Sequence, residues 1–221
     1  MPEVVRRSLP NSLTMLRLAL AGVFFGTLNV YRFDAEAQHA VWANVAVGVF
    51  ILAVITDILD GYLARRWQVV SVFGRIMDPF CDKVLILGGF IYLAGPRFAV
   101  SEWAEKGDFI TMATGVYPWM VVVMLARELL VTGFRGEAES TGESFAAAWS
   151  GKLKMVLQSI TIPLVIFLVV NLNTVETLWA RWTCYVAVYL TVGMTMLSGL
   201  PYLGRLRHIH LRSPLGEDPA G

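Results

Sequence analysis

The run Asp57-Ile58-Leu59-Asp60-Gly61-Tyr62-Leu63-Ala64-Arg65, then eight residues, then Gly74-Arg75-Ile76-Met77-Asp78-Pro79-Phe80-Cys81-Asp82, decides how this chain folds. It sets four aspartates into apolar stretches at fixed spacing. An ionised carboxylate inside a bilayer costs roughly 2.5–3.5 kcal/mol on insertion scales. Four in proximity also repel one another unless cations sit among them. The pattern predicts a divalent-cation site facing a polar cavity.

On helices turning about 100° per residue, Asp57, Asp60, Gly61 and Ala64 share one face. Gly74, Asp78 and Asp82 follow at successive i+4 steps. Two antiparallel helices joined by a short loop bring these stripes together. Gly61 and Gly74 lack a Cβ, so a bulky ligand can approach the backbone. Arg65, near the same face, offers phosphate oxygens a planar fork. Asp78-Pro79 suits a helix start, where the missing proline N–H is harmless. Carboxylate-only ligation favours Mg²⁺ or Mn²⁺ over Zn²⁺. The three histidines, His39, His208 and His210, fall outside the expected spans. Acids, arginine and small residues together suggest a metal-bound diphosphate, clamped by two ions about 3.5–4 Å apart. The bland alternative, charges paired off for helix packing, needs more internal cations than these two helices hold.

Composition agrees with a membrane setting. The chain is 56% hydrophobic and 16% charged, with mean hydropathy +0.60. A soluble domain carries about 25% charged residues. Net charge is +1, which gives no bulk reason to expect a nucleic-acid partner. Cys81 and Cys184 lie in apolar segments, so no disulfide framework is expected. Six spans are expected, at 12–30, 41–63, 77–95, 112–134, 153–171 and 179–203. The chain then reads as an all-α membrane protein with six transmembrane helices. One transmembrane domain covers 1–204, and 205–221 is a cytosolic tail. The breaks are Tyr31 to Gln38, Gly95-Pro96, Glu102 to Asp108, a polar acidic loop from Gly136 to Gly142, and a turn from Asn171 to Glu176.

Lys and Arg placement gives orientation. Of the 18, eleven fall on one side (Arg6, Arg7, Arg65, Arg66, Arg75, Arg135, Lys152, Lys154, Arg205, Arg207 and Arg212) and four on the other (Arg32, Arg97, Lys106 and Arg181). Arg17, Lys83 and Arg127 lie inside spans. Both termini, and the loop flanked by the aspartates, are therefore expected in the cytosol. Arg6-Arg7 before an apolar run reads as the start of a retained helix. With no Arg/Ser-rich transit segment in view, a bacterial inner membrane is the expected location.

The aspartate run resembles the signature of the CDP-alcohol phosphotransferase family at all eight positions: Asp57, Asp60, Gly61, Ala64, Arg65, Gly74, Asp78 and Asp82. Outside it, Leu9-Pro10-Asn11-Ser12-Leu13-Thr14-Met15-Leu16-Arg17, Ala126-Arg127-Glu128, Phe134-Arg135 and Ser150-Gly151-Lys152-Leu153-Lys154 resemble the phosphatidylglycerophosphate-synthase branch. The likeness runs to about Gln158. It implies six transmembrane helices, divalent metal and a homodimer. By analogy, Asp57, Asp60 and Asp78 would hold two Mg²⁺ or Mn²⁺ ions. Asp82 would ligate or approach a metal and act as general base. Gly61, Arg65, Ser71 and Gly74 would hold the CDP moiety of the donor, with Asn11 and Thr14 near its nucleotide end. The implied activity is transfer of the phosphatidyl group from CDP-diacylglycerol to the sn-1 hydroxyl of glycerol 3-phosphate, with release of CMP. Phosphatidylglycerol (as in a cardiolipin synthase of this type), serine or inositol phosphate are the alternative acceptors.

Spacing adds a depth estimate. Asp57 precedes Arg65 by eight residues, Lys83 follows Arg75 by eight, and Arg127 precedes Arg135 by eight. With those arginines at the interface, all three groups lie about 12 Å deep on one side. A common depth implies one polar cavity. Arg127 is then available to an acceptor's phosphate, with Lys152, Lys154 and Arg135 as further cations. Alternatively, Arg127 and Lys83 neutralise the aspartates, and Lys152 and Lys154 are ordinary positive-inside residues or lipid contacts. Glu128 is expected to point elsewhere on its helix and pair structurally. A different class, a cation transporter built on intramembrane carboxylates, fits less well. The acids cluster near one face, and no internal duplication is visible.

Overall fold

Away from water, a backbone must satisfy its own N–H and C=O groups, and a helix does this within one segment. The long apolar runs are accordingly helices in the computed structural model of the chain, which describes residues 3–33, 39–67, 72–106, 111–140 and 149–202. In order these are α1 (Glu3–Val30), α2 (Ala40–Trp67), α3 (Val72–Leu93), a short α4 (Ser101–Glu105), α5 (Pro118–Ser140), α6 (Trp149–Leu172) and α7 (Leu178–Leu197), with a 3₁₀ turn at Pro96–Phe98. Among the described residues, four stretches are long and apolar enough to cross a membrane: Ser12–Val30, Ala40–Leu63, Trp149–Leu172 and Leu178–Tyr202. The helices α3 and α5 are of similar length but carry charge. Arg75, Asp78, Asp82 and Lys83 lie on α3, and Arg127, Glu128, Arg135, Glu137 and Glu139 on α5.

Three local expectations need correction. The helix α3 does not start at Asp78-Pro79; it starts at Val72 and runs through Pro79. Proline there forgoes the bond that its N–H would have given to the Arg75 carbonyl. The expected fourth span, 112–134, begins six residues later, at Pro118. The preceding stretch is a bridge and turn in which Gly115 takes φ +71. A side chain at Gly115 would collide with the Tyr185 ring, 2.3 Å from an added Cβ, so both conformation and space call for glycine. The same helix also runs through the expected acidic loop as far as Ser140. Glu and Ala are good helix formers, and one glycine at 136 is not enough to break the segment.

Helix α1 lies between α2 and α3, α6 packs on α2, α3 and α7, and α5 on α3 and α7. The core of the α1–α2–α3 layer is aromatic. Phe24 meets Phe25 and Phe50 at 5.2 Å between ring centroids, and Phe25 stacks on Tyr92 at 5.3 Å. Gly88 makes room for this stack, since a Cβ there would come within 2.4 Å of the Phe25 ring. At the end of the bundle away from the aspartates, Tyr31 packs on Phe98, and Ala99 bridges to Met112. Arg181 donates to the Thr174 and Val175 carbonyls and sits 5.3 Å from the Trp103 ring. Both cysteines are unbridged and buried. This tied end leaves the polar chemistry to the other.

Candidate active site

Three helices each contribute a pair of polar side chains to one place. Thr14 and Arg17 are one turn apart on α1, Asp57 and Asp60 one turn apart on α2, and Asp78 and Asp82 one turn apart on α3. Arg17 is 1% exposed and stands among the acids. Its Nη1 lies 2.6 Å from Asp57 Oδ1 and 3.4 Å from Asp82 Oδ1, and its Nη2 3.5 Å from Asp60 Oδ2. The Thr14 hydroxyl lies 2.8 Å from Asp78 Oδ1 and 3.3 Å from Asp60 Oδ2. Its one hydrogen serves a single carboxylate at a time, and the shorter contact is to Asp78. The side chain of Asp60 is 5% exposed, whereas that of Asp57 is 37% exposed. The cluster is therefore closed at Asp60 and opens past Asp57 and Asp82.

These contacts bring all four sequence-predicted aspartates together around α1. Thr14, which the resemblance places near the nucleotide, has its hydroxyl within reach of Asp78 and Asp60. The role of Arg17 was missed. Its signal was present in the sequence, because a lone cation inside an apolar span needs a partner. The same contact revises the view that internal cations are scarce, since one comes from a third helix. Gly61 is half-buried and Gly74 buried on the acid-bearing helices. The side chains of Asn11, Arg65 and Arg135, and all of Ser71, lie outside the described residues.

In donor chemistry the aspartates suit a hard divalent ion, which takes carboxylate oxygens. Among the described residues, no three His, Cys, Asp or Glu side chains are disposed as a ready ligand set. Arg17 stands between the carboxylates that would form one.

A second polar cluster lies on α5 and α6. Glu128 accepts from Arg127 Nη1 at 3.1 Å and is ion-paired through the same oxygen with Lys154. Arg127 Nη2 also lies 3.4 Å from the Ser198 carbonyl. The side chain of Lys154 is 5% exposed, so this lysine is buried in a protein pair and does not face lipid. Glu128 does not point away from Arg127, because its side chain curls back to serve both cations. Lys152, on the same helix, is exposed. One chain of contacts joins the two clusters. Lys83, the neighbour of Asp82 on α3, donates to Thr132 Oγ1 at 2.7 Å, and Thr132 donates to the Glu128 carbonyl at 2.7 Å.

An acid cluster beside a cation cluster at one end of a helical bundle fits a protein that handles phosphate at a membrane. Residues 7–195 match the CDP-alcohol phosphatidyltransferase family. The chain belongs to that family. It is 31% identical over 207 residues to the CDP-diacylglycerol–glycerol-3-phosphate 3-phosphatidyltransferase of Bacillus subtilis, covering 90% of this chain and 94% of that protein. A probable phosphatidylglycerophosphate synthase of Mycobacterium tuberculosis is 36% identical over 158 residues, 71% of this chain and 65% of that protein. The Pectobacterium atrosepticum CDP-diacylglycerol–glycerol-3-phosphate 3-phosphatidyltransferase is 28% identical over 204 residues, 91% of this chain and 96% of that protein. This phosphatidyltransferase is thus an enzyme of phospholipid biosynthesis built on membrane helices.

Proposed function

We propose that this enzyme transfers the phosphatidyl group of CDP-diacylglycerol to the sn-1 hydroxyl of glycerol 3-phosphate, giving phosphatidylglycerophosphate and CMP. The observation that carries the reading is the pairing of an acid cluster with a buried cation cluster through Lys83 and Thr132. A phosphate-bearing acceptor needs cations beside the attacking hydroxyl, and Arg127 with Lys154 supplies them. Relatives that carry this activity in their names add support.

Asp57, Asp60, Asp78 and Asp82 would hold divalent metal, Mg²⁺ or Mn²⁺, most simply as two ions. Bound there, such ions would neutralise the diphosphate and the charge developing on the leaving CMP oxygen. The protein's own groups do the rest. Asp82, on the open side of the cluster, takes the proton of the acceptor hydroxyl. That oxygen forms a bond to the β-phosphorus, the bond from this phosphorus to the CMP oxygen breaks, and CMP leaves with the electron pair. Arg127, assisted by Lys154 and by the exposed Lys152 of α6, holds the acceptor phosphate. Arg65, Gly61, Gly74 and Ser71 are assigned to the CDP moiety. Catalysis of this kind rests on positioning and charge stabilisation. In this reading all six long helices cross a bacterial inner membrane in a homodimer, with both termini and the site on the cytoplasmic side.

An acceptor panel tests the assignment. Purified enzyme with CDP-diacylglycerol is expected to release CMP with glycerol 3-phosphate and not with serine, inositol phosphate or phosphatidylglycerol. Release with one of the latter and none with glycerol 3-phosphate would reassign the acceptor.

A further inference from the structure

Arg17 is built into the acid cluster in an unusual way. One guanidinium reaches three carboxylates from two other helices, at one short and two long distances. Its Nε is buried with no hydrogen-bond partner among the described residues. A bidentate arginine–carboxylate pair at its best uses two parallel short contacts. Arg17 makes one short contact and splits the remainder. Among the described residues, the one guanidinium of Arg17 is shared by the three carboxylates of Asp57, Asp60 and Asp82. An optimised structural ion pair would satisfy every donor of the guanidinium, and this one does not. The oxygens that Arg17 contacts, Asp57 Oδ1, Asp60 Oδ2 and Asp82 Oδ1, belong to the residues assigned above to metal.

We infer that Arg17 is a resident counter-ion that competes with divalent cations for the carboxylates of Asp57, Asp60 and Asp82, and that it must release them as metal binds. The inference rests on the metal assignment made above. It gives Arg17 a positioning role. The guanidinium keeps like charges on α2 and α3 together until ions arrive, and it sets a threshold on metal affinity. The binding step exchanges one monovalent partner for divalent ones, with no covalent change.

Mn²⁺ binding to the purified full-length enzyme, followed by the electron paramagnetic resonance signal of unbound Mn²⁺, tests this. Arg17→Gln is expected to bind Mn²⁺ more tightly than the wild type, on the order of 10-fold, the size by which groups around a metal's ligands alter affinity. Arg17→Lys keeps the charge but loses the fork, and is also expected to bind more tightly. It carries the test if Arg17→Gln fails to fold. A purely structural role predicts weaker binding in both variants. A background-charge role predicts that Arg17→Lys binds like the wild type. Either result would overturn the inference while leaving the metal site in place. Asp57→Asn and Asp60→Asn separate the two layers. If these bind Mn²⁺ as the wild type does, or the wild type binds none, the metal assignment fails and the inference fails with it.

Discussion

The two polar clusters of this molecule are near mirror images in charge. On α1, α2 and α3 a single cation, Arg17, reaches three acids. On α5 and α6 a single acid, Glu128, joins two cations. Among the described residues, each cluster has one group of the minority sign in contact with several of the majority. The first retains a negative surplus suited to metal ions, the second a positive surplus suited to phosphate. They differ in closure. The acids open past Asp57 and Asp82, whereas Lys154 is buried and Arg127 is braced against the Ser198 carbonyl. The reaction proposed above, metal-dependent transfer to a phosphate-bearing acceptor, would draw on both kinds of surplus.

The largest effect is expected at Asp82. Asp82→Asn should lower turnover by about 10²–10⁴-fold, the contribution of a positioned proton acceptor. CDP binding should survive, because three acids remain. CMP release and CDP binding measured on one preparation check this, and near-normal release would remove Asp82 from the proton-transfer role. In the cation cluster, Arg127→Ala should raise the KM for glycerol 3-phosphate with little change in the KM for CDP-diacylglycerol. The loss of a charged hydrogen bond, about 2 kcal/mol, is worth roughly 30-fold. A rise confined to the CDP-diacylglycerol KM would place the two surpluses the wrong way round.

Much of this arrangement can be read from residue spacing. Asp57 with Asp60 and Asp78 with Asp82 share helix faces by spacing alone, and their apolar surroundings demand a partner. Arg17 carries half the cue, a lone cation in an apolar span, but spacing within α2 and α3 says nothing about which third helix fills the gap between them. Glu128 pairs structurally as expected, but with Arg127 as well as Lys154, and its direction departs from expectation for a related reason. A residue adjacent to Arg127 points about 100° away on a helical wheel. Two long side chains can nevertheless converge, and here they meet at one carboxylate oxygen. The boundary errors have local causes. Pro79 looks like a helix start, but its carboxylate-bearing face is carried by a helix that begins at Val72. The polar stretch after Gly136 looks like a loop, but Glu137, Ala138 and Glu139 favour helix.

Smaller changes sharpen the comparison. Glu128→Gln keeps the shape and removes the minority charge of the cation cluster, leaving Arg127 and Lys154 to repel each other. It should lower the unfolding free energy of the detergent-solubilised enzyme by about 1.5 kcal/mol, read as a lower Tm. An unchanged Tm would mean that Glu128 does not hold the cations together. Thr14→Val removes a hydroxyl and keeps the size. It should cost about 1 kcal/mol, seen as Mn²⁺ binding a few-fold weaker, because Thr14 orients Asp78. Unaltered binding would confine Thr14 to packing.

The most direct test of the central claim, that acids from two helices meet around divalent ions, is CMP release by enzyme in proteoliposomes under chelation. Rigorous chelation should abolish release from CDP-diacylglycerol and glycerol 3-phosphate, and added Mg²⁺ or Mn²⁺ should restore it. Full activity in the chelator would contradict the account.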